Sequence, residues 1–378
     1  MPDEGAFETI PDHVSEHARR EILRLARESE PEVSDVKCCE YLIRHWCETV
    51  EDGNPLYLDE AYARARGFDG LVAQPGMLIC TLTLPYRWPG TRGFKSHRLM
   101  HFQLKELLEL PVGILANYEV EFDRPVVEGD RLSTTARLLG ISDWKQTRLG
   151  EGYFTKVLTT YYNQRQQTVA RAYTHLFSYG KQGTRPGDDP ARQVTPSTLQ
   201  DQAPAAPPSD DAVRGGWHNG TEECLESWRT GWDARPPVEL FFGDVNAGDE
   251  LPQLLMPITV TRCSLMASAS RDFAPQHHNT WYAQNRSKTR DMFLGTHFNL
   301  GMLSRFMTDW GGPRSTVRRM QLAMRRSICA GEDMILTGSV KRKFERDGER
   351  RVDLDITIAT ERGLAYQAGG TLALPTRE

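Results

Sequence analysis

The sequence predicts an α+β fold that occurs twice in the chain. In each half, apolar residues at helical spacing precede several runs in which apolar and polar residues alternate, at about 38–179 and again at about 261–374. Helices followed by antiparallel strands are typical of an α+β domain. The turn from Arg124 to Asp130 also corresponds to the turn from Arg326 to Glu332, since each follows one alternating run and precedes another. Duplication of one helix-and-sheet unit is the simplest explanation.

The first half is predicted to follow a polar leader, residues 1–35, whose middle has the composition of a helix. A helix is expected from Cys38 to Val50, because apolar residues there recur at helical spacing. A second apolar helix is expected from Gln74 through about Leu84, with a proline in its first turn where the missing N–H costs nothing. Strands follow from about 113 to 179, so the first domain is predicted to span 36–180.

A linker is predicted between the two halves. Residues 181–237 are rich in Pro, Asp, Gln and Ala and poor in branched residues, a composition that cannot pack a core. The second domain, residues 238–378, contains a strongly periodic helix predicted from Thr296 to Trp310, which ends at the Gly-Gly-Pro that follows. Three tryptophans of the linker indicate a connecting arm that docks again, with an aromatic ligand platform as the alternative: Trp217, Trp228 and Trp232.

Composition and charge argue against several classes of protein. The chain has 378 residues, of which 39% are hydrophobic and 26% charged, as in globular proteins of roughly two domains. The net charge of −5 argues against nucleic acid as the main partner. No apolar run approaches the roughly 20 residues that cross a bilayer, and the acidic amino terminus is unlike a signal peptide, so we expect a cytoplasmic protein with no membrane partner. Seven cysteines without a CxxC pair favour reduced thiols over a disulfide frame or a metal site.

The chemistry is expected in a turn that places an acid and an imidazole around a proline. Asp272 and His277 flank Pro275, which forbids a continuous helix and therefore forces a turn between them. An acid that orients a water molecule, beside a neutral histidine that takes its proton, is suited to the addition or removal of water. The alternative is a surface turn in which Asp272 caps local amides.

The order of elements and these turns resemble the MaoC-like hydratase/dehydratase family, whose members have the hot-dog fold. The resemblance covers about 36–180 and 238–376 and implies a double hot-dog, with two such units packed as a pseudo-dimer. The family motif is Asp-x-Asn-Pro-x-His-x-Asp. The second half keeps its acid, proline and histidine but has Ala274 in place of asparagine and Asn279 in place of the last aspartate. The first half, from Asp52, keeps everything except the histidine, which Tyr57 replaces.

The resemblance implies an enzyme that adds water to a trans-2-enoyl-CoA to give the (R)-3-hydroxyacyl-CoA. His277 would take the proton from water and Asp272 would orient that water, and which of the two protonates carbon is left open. Backbone N–H groups at Gly295 and Thr296 would stabilise the enolate, because a helix N-terminus presents unpaired donors and a positive dipole end. A simple turn at the start of the helix is the alternative role of Gly295. We expect no cofactor beyond the coenzyme A of the substrate.

Several other residues are candidates for supporting roles. His278 could replace His277 as the base, although the family spacing favours His277, and Asn279 is expected to orient a neighbour. His297 is expected to be a hydrogen-bonded structural histidine, with a side chain that faces the pocket as the alternative. Four arginines are candidate ligands for the phosphates of coenzyme A, with a solvated strand edge as the alternative: Arg318, Arg319, Arg325 and Arg326.

Two other functions stay open. The chain could be a dehydratase that acts on carrier-protein thioesters, or a non-catalytic acyl-binding or scaffold subunit. Loss of the histidine in the first half predicts a long or bulky acyl group, because that half is free to reshape its pocket. The internal pseudo-dimer removes the need for a homodimer without preventing one. The insert at about 90–110 has no assigned structure.

Overall fold

The computed structural model describes residues 10–86, 100–180 and 239–377. The strands in these ranges are β1 Glu32–Lys37, β2 Val112–Phe122, β3 Arg131–Ile141, β4 Lys145–Thr147, β5 Gly150–Tyr162, β6 Thr168–Gly180, β7 Glu250–Ile258, β8 Thr316–Met324, β9 Glu332–Arg346, β10 Glu349–Thr360 and β11 Gly363–Ala373. The α-helices are α1 Glu16–Leu25, α2 Glu40–Val50, α3 Pro55–Leu58, α4 Glu60–Ala65, α5 Met100–Leu107, α6 Val260–Ser270, α7 Thr280–Tyr282 and α8 Thr296–Gly311. Shorter helical turns are Pro75–Met77, Phe242–Asp244, Pro275–His277 and Ala283–Ser287.

The strands form one continuous antiparallel sheet to which each half contributes a block. Its order is β1-β3-β5-β6-β2-β8-β11-β10-β9-β7, with β4 paired to β5. The blocks meet where β2 pairs with β8, in a register that sets Asn117 opposite Ala323 and Glu121 opposite Arg319. The predicted α+β class, with antiparallel strands in both halves, is therefore confirmed.

The repeated turn between strands is also present in both halves. Gly129 and Gly331 both have positive φ, 93° and 85°, a conformation that glycine adopts without a side-chain clash. The acid that follows each glycine binds an amide three residues earlier, since Asp130 accepts from the N–H of Val127 at 3.0 Å and Glu332 from that of Cys329 at 3.3 Å. The two turns therefore have the same construction.

Helix α8 lies at the centre of the fold. It is buried along nearly its whole length, with Phe298, Met302 and Leu303 in a core that also contains Trp46 and Met77 of the first half. It packs against β7, β8 and β11 and against α2 and the Pro75–Met77 turn. Apolar residues dominate the buried surface of this helix, which explains the strong predicted helix at this position. Its buried polar residues include Asn299, Ser304 and Arg305.

The apolar helix predicted from Gln74 to about Leu84 is wrong. The structure has a single 3₁₀ turn at Pro75–Met77 and then a series of turns. Backbone bonds there join residues three, four and five apart, as in Thr83 to Cys80, Leu84 to Cys80 and Leu82 to Met77, so no regular ladder forms. The Gln74 side chain also accepts the N–H of Gly76 at 2.7 Å, in place of a backbone carbonyl.

Part of the predicted polar leader is packed onto the first half. The leader helix is confirmed as α1, which Ser15 caps by accepting the N–H of Ala18. Ile22 of α1 is fully buried in a second core that contains Leu104 of α5 and Leu138 of β3. Strand β1 pairs with β3 and was not predicted, and α5 lies within the unassigned insert. The predicted linker and its tryptophans lie outside the described residues.

No helix in the described ranges is long and apolar enough to cross a membrane.

We expect Gly76→Ala to destabilise the fold by about 1–3 kcal/mol, because overpacking forces the surrounding backbone to move. A Cβ at Gly76 would lie 2.5 Å from the Cα of Gly301 on α8. The shift in urea midpoint measures the effect. Gly53→Ala is the matched control, since a Cβ there meets nothing within 4 Å. Equal midpoints for the two variants would show that the close contact at Gly76 contributes nothing.

Candidate active site

The turn predicted around Pro275 is present and is held by its own backbone amides. Helix α6 ends at Ser270, and Arg271 follows in the left-handed region with φ 63°. The Ser270 hydroxyl accepts the N–H of Asp272 at 3.1 Å, and the Asp272 carboxylate accepts the N–H of Ala274 at 3.2 Å. Asp272 therefore uses one oxygen to shape the turn and keeps the other for the site.

His277 is buried with one ring nitrogen anchored. Its Nδ1 lies 2.7 Å from the carbonyl oxygen of Phe293, which only a protonated Nδ1 can contact as a donor, so Nε2 carries the lone pair. That Nε2 is 3.8 Å from Asp272 Oδ2, beyond a direct hydrogen bond. Burial lowers the pKa of His277 and outweighs the Phe293 carbonyl and Asp272, which raise it. The imidazole is therefore neutral at pH 7 and suited to act as a base.

His297 is buried beside His277 and contacts two sulfur atoms, as expected of a hydrogen-bonded structural histidine. Its ring is buried at the start of α8, 6.2 Å from the ring of His277 between centroids. Its Nε2 lies 2.8 Å from Met266 Sδ, and its Nδ1 lies 3.6 Å from the Sγ of Cys80. Burial lowers the pKa of His297 to about 4. The site therefore contains two neutral histidines.

Sequence reasoning missed Cys80 as a site residue. It belongs to the first half, yet its Sγ and donor atoms of Asp272 and His297 all lie within 4.8 Å of one another. No local motif surrounds it, because it reaches the site only through the packing of one half on the other.

Gly295 is the N-cap of α8 and supplies no side-chain acceptor for the first-turn amides. A side chain at Gly295 would collide with the ring of His297, which occupies the space that a Cβ would need. The residue is therefore glycine at least partly to admit His297. The role of Gly295 and Thr296 as donors to an enolate oxygen stays a prediction, supported by their place at the positive end of the helix dipole.

The two polar residues after His277 are exposed, whereas the ring of His277 is buried. His278 is exposed, with Nε2 3.3 Å from the carbonyl of Phe273. Asn279 is also exposed and accepts the N–H of Tyr282 at 2.8 Å, as the N-cap of α7. Asn279 thus orients the next piece of backbone, and the geometry favours His277 over His278 as the base.

The first two candidate arginines for coenzyme A lie where the halves meet. Arg318 forms an ion pair with Glu349, and Arg319 forms one with Glu119. Both line a groove of about 610 Å³ on the surface of the sheet. Their charges are already neutralised by carboxylates, so a phosphate there would compete with existing pairs.

The other two candidate arginines follow the opposite end of β8. Arg326 donates to the carbonyl of Arg362, and exposed Arg325 has no ion pair within the described ranges. The carbonyl of nearby Ile328 accepts the N–H of Leu294, the residue before Gly295. This pair is therefore nearer to the candidate site than Arg318 and Arg319, and binding of coenzyme A by any of the four stays a prediction.

The first copy of the site is filled by a glutamine. Matching bridges, Val72 to Val127 and Phe293 to Cys329, align Gln74 with Gly295. The Gln74 amide donates to Asp52 at 3.3 Å and to the carbonyl of Gly301 at 2.8 Å, and its oxygen accepts the N–H of Trp46 at 2.9 Å.

The acid of this first copy is fully enclosed, unlike Asp272. Burial, and next the charge of Asp309, raises the pKa of Asp52 to about 7. Tyr57, in the place of the histidine, is buried beside an apolar cavity of about 60 Å³. The first copy has neither a base nor room for a water and a substrate beside its acid.

Known proteins match both the sequence and the fold. Residues 31–172 match the family described as FAS1-like, dehydratase domain region. A protein named probable enoyl-CoA hydratase alpha subunit, from Thermomonospora curvata, is 32% identical over 160 residues, or 41% of this chain and 49% of that protein. The 3-oxo-4,17-pregnadiene-20-carboxyl-CoA hydratase alpha subunit of Mycobacterium tuberculosis is 28% identical over 191 residues, or 48% and 58%. The chain spans about half the length of the curated relatives it matches.

Solved structures cover nearly the whole chain. A MaoC-like dehydratase superposes with a TM-score of 0.62 and 18% identity over 92% of this chain and 98% of the other. A Mycobacterium tuberculosis protein with a double hotdog fold superposes with a TM-score of 0.55 and 16% identity over 91% and 96%. This chain has the MaoC-like double hot-dog fold. The resemblance inferred from the two copies of the motif is therefore confirmed.

The double hot-dog should lose stability as the pH falls from about 6.5 toward 4, through His297. In that window the unfolded histidine binds a proton that the buried one, with its pKa of about 4, does not. His297→Gln should reduce the loss of urea midpoint between pH 7 and pH 5. Exposed His278→Gln is the control and should follow the wild type. The raised pKa of Asp52 changes stability in the opposite direction over this pH range, so the test compares the pH dependence of the urea midpoint between variants. The same pH dependence in His297→Gln and the wild type would contradict the assigned burial effect.

Proposed function

We propose that the protein is a hydro-lyase that adds water to a trans-2-enoyl-CoA and forms the (R)-3-hydroxyacyl-CoA. The observation that carries this proposal is the separation of 3.8 Å between Nε2 of neutral His277 and the carboxylate of Asp272. Both atoms can contact one water molecule placed between them. One curated relative is named a probable enoyl-CoA hydratase alpha subunit, and the other is also named as the alpha subunit of a CoA-thioester hydratase.

The geometry supports a short sequence of steps. His277 accepts a proton from the water that Asp272 orients, and the water oxygen bonds to C3 of the enoyl group. Electrons move to the thioester oxygen, where N–H groups of Gly295 and Thr296 would stabilise the negative charge. The proton taken from water returns to C2 through the Asp272 and His277 pair. The product therefore gains one H and one OH, and no further reagent is needed.

Asp272→Asn and His277→Ala should each lower kcat for enoyl-CoA hydration by about 10²- to 10⁴-fold, since each removes a proton-transfer group. The assay follows loss of the conjugated thioester absorbance, and chiral analysis of the product tests the (R) configuration. Asp52→Asn is the matched control in the first copy and should stay within a few-fold of wild type. Full activity in either site variant would refute the assignment.

The acyl group is proposed to be long or bulky. The cavity beside Tyr57 is too small for a drug-sized or larger group, which needs about 300 Å³ or more. Two large apolar side chains near the catalytic turn are instead exposed, Phe273 at 45% and Trp281 at 61%. A large acyl group that extends out of the site could cover both side chains. The name of one relative, a pregnadiene-carboxyl-CoA hydratase alpha subunit, supports a polycyclic substrate.

Trp281→Ala should raise KM for a polycyclic enoyl-CoA by about tenfold. The lost aromatic contact contributes about 1.4 kcal/mol of binding free energy, which corresponds to a tenfold change in affinity. The same variant should leave KM for the four-carbon crotonyl-CoA unchanged, since that acyl group is too short to reach the rim. A preference of the wild type for crotonyl-CoA, or an equal change in both KM values, would contradict a large acyl group at this rim.

One alternative is favoured by a specific observation. Both curated relatives are named as alpha subunits, so the chain could work as one subunit of a larger assembly. Light scattering gives the mass of the purified chain, and a hydration assay of the same sample tests whether the chain alone is active. An inactive monomer that gains activity only with a second protein would support this alternative. A homodimer, a cytoplasmic location and the lack of a separate cofactor remain predictions.

A further inference from the structure

Three side chains with metal-ligating atoms converge at the candidate site, and they come from both halves. Cys80 belongs to the first half, whereas Asp272 and His297 belong to the second. Hydration as proposed uses only Asp272 and His277. The thiol of Cys80 and the imidazole of His297 therefore have no part in that reaction, although they lie beside Asp272.

The distances within this group suit a tetrahedral ion. With Zn–S near 2.3 Å and Zn–N or Zn–O near 2.0–2.2 Å, neighbouring ligand atoms lie about 3.4–3.6 Å apart. The Cys80 Sγ is 3.6 Å from Nδ1 of His297. The donor atoms of Cys80, Asp272 and His297 all lie within 4.8 Å of one another.

The imidazole of His297 has one nitrogen on the side of the thiol. Its Nε2 lies against Met266 Sδ at 2.8 Å, which leaves Nδ1 on the side of Cys80. The ring is buried at the start of α8.

We propose that Cys80, Asp272 and His297 bind one Zn²⁺ ion and that the bound ion inhibits hydration. A thiolate, an imidazole and a carboxylate are donor types that Zn²⁺ prefers, and the thiol of Cys80 releases its proton on binding. The ion would engage the Asp272 carboxylate, which the reacting water needs for its orientation. The inhibitory effect rests on the proposed hydratase activity, whereas the binding site does not. The sequence predicted no metal site, since its ligands share no local motif.

Metal binding can be measured without any enzymatic assay. The purified full chain, stripped with a chelator, is titrated with Co²⁺, whose thiolate complexes absorb in the near ultraviolet and whose tetrahedral complexes give strong visible bands. We expect one equivalent to bind with both signals, and Zn²⁺ to displace it. Cys80→Ser should abolish the near-ultraviolet band, and His297→Gln should weaken binding by about tenfold or more. Cys39→Ser, a partly exposed cysteine at the start of α2, is the control and should change neither.

Inhibition is tested in the same proteins, relative to the metal-free rate of each. Zn²⁺ should inhibit wild type and Cys39→Ser alike, and inhibit Cys80→Ser only at about tenfold higher concentration or more. No near-ultraviolet band, or a band that survives Cys80→Ser, would refute the site. A chain that binds Co²⁺ as described but hydrates no enoyl-CoA would refute the proposed function and leave the metal site in place.

Discussion

The candidate site depends on one close contact between the two halves, where Gly76 meets Gly301 of α8. A side chain on Gly76 would meet Gly301 at 2.5 Å, so the backbones touch. Gly301 is itself packed against Trp46. This contact brings the Pro75–Met77 turn and the residues after it against the start of α8. Cys80 therefore reaches His297.

Much of the fold follows from local pattern, and so could be predicted. Helix periodicity placed α2 and α8, and the spacing of Asp272, Pro275 and His277 predicted the turn that holds them. The features that the sequence did not predict depend on partners that are distant along the chain. Cys80 and His297 are 217 residues apart in sequence, and no window that contains one shows the other.

Side-chain partners explain the other differences. The strong helical pattern after Gln74 was overridden because the glutamine side chain satisfies the amide of Gly76 and the carbonyl of Gly301. The arginines of β8 were predicted to bind phosphate, because the sequence shows their charges but not the acidic residues that pair with them. Glu349, which pairs with Arg318, lies on β10 and becomes a neighbour only when the sheet is formed.

The residue before the motif acid has the same backbone conformation in both copies and ties each half to the other. Glu51 and Arg271 have φ of 54° and 63°, a region that costs a non-glycine residue free energy. Glu51 pairs with buried Arg262 and Arg305 of the second half. Removing one partner of such a buried pair typically costs about 3–5 kcal/mol.

Arg271 makes the reciprocal contact, donating to the carbonyls of Leu84 and Pro85 in the first half at 2.6 and 2.9 Å. The turn that holds Asp272 and His277 is thus positioned by contacts with the first half. In the first copy the acid is shielded from water, whereas the side chain of Asp272 keeps 27% of its surface exposed. The two copies of the turn therefore differ in the exposure of their acid, and each is tied to the opposite half by the residue that precedes that acid.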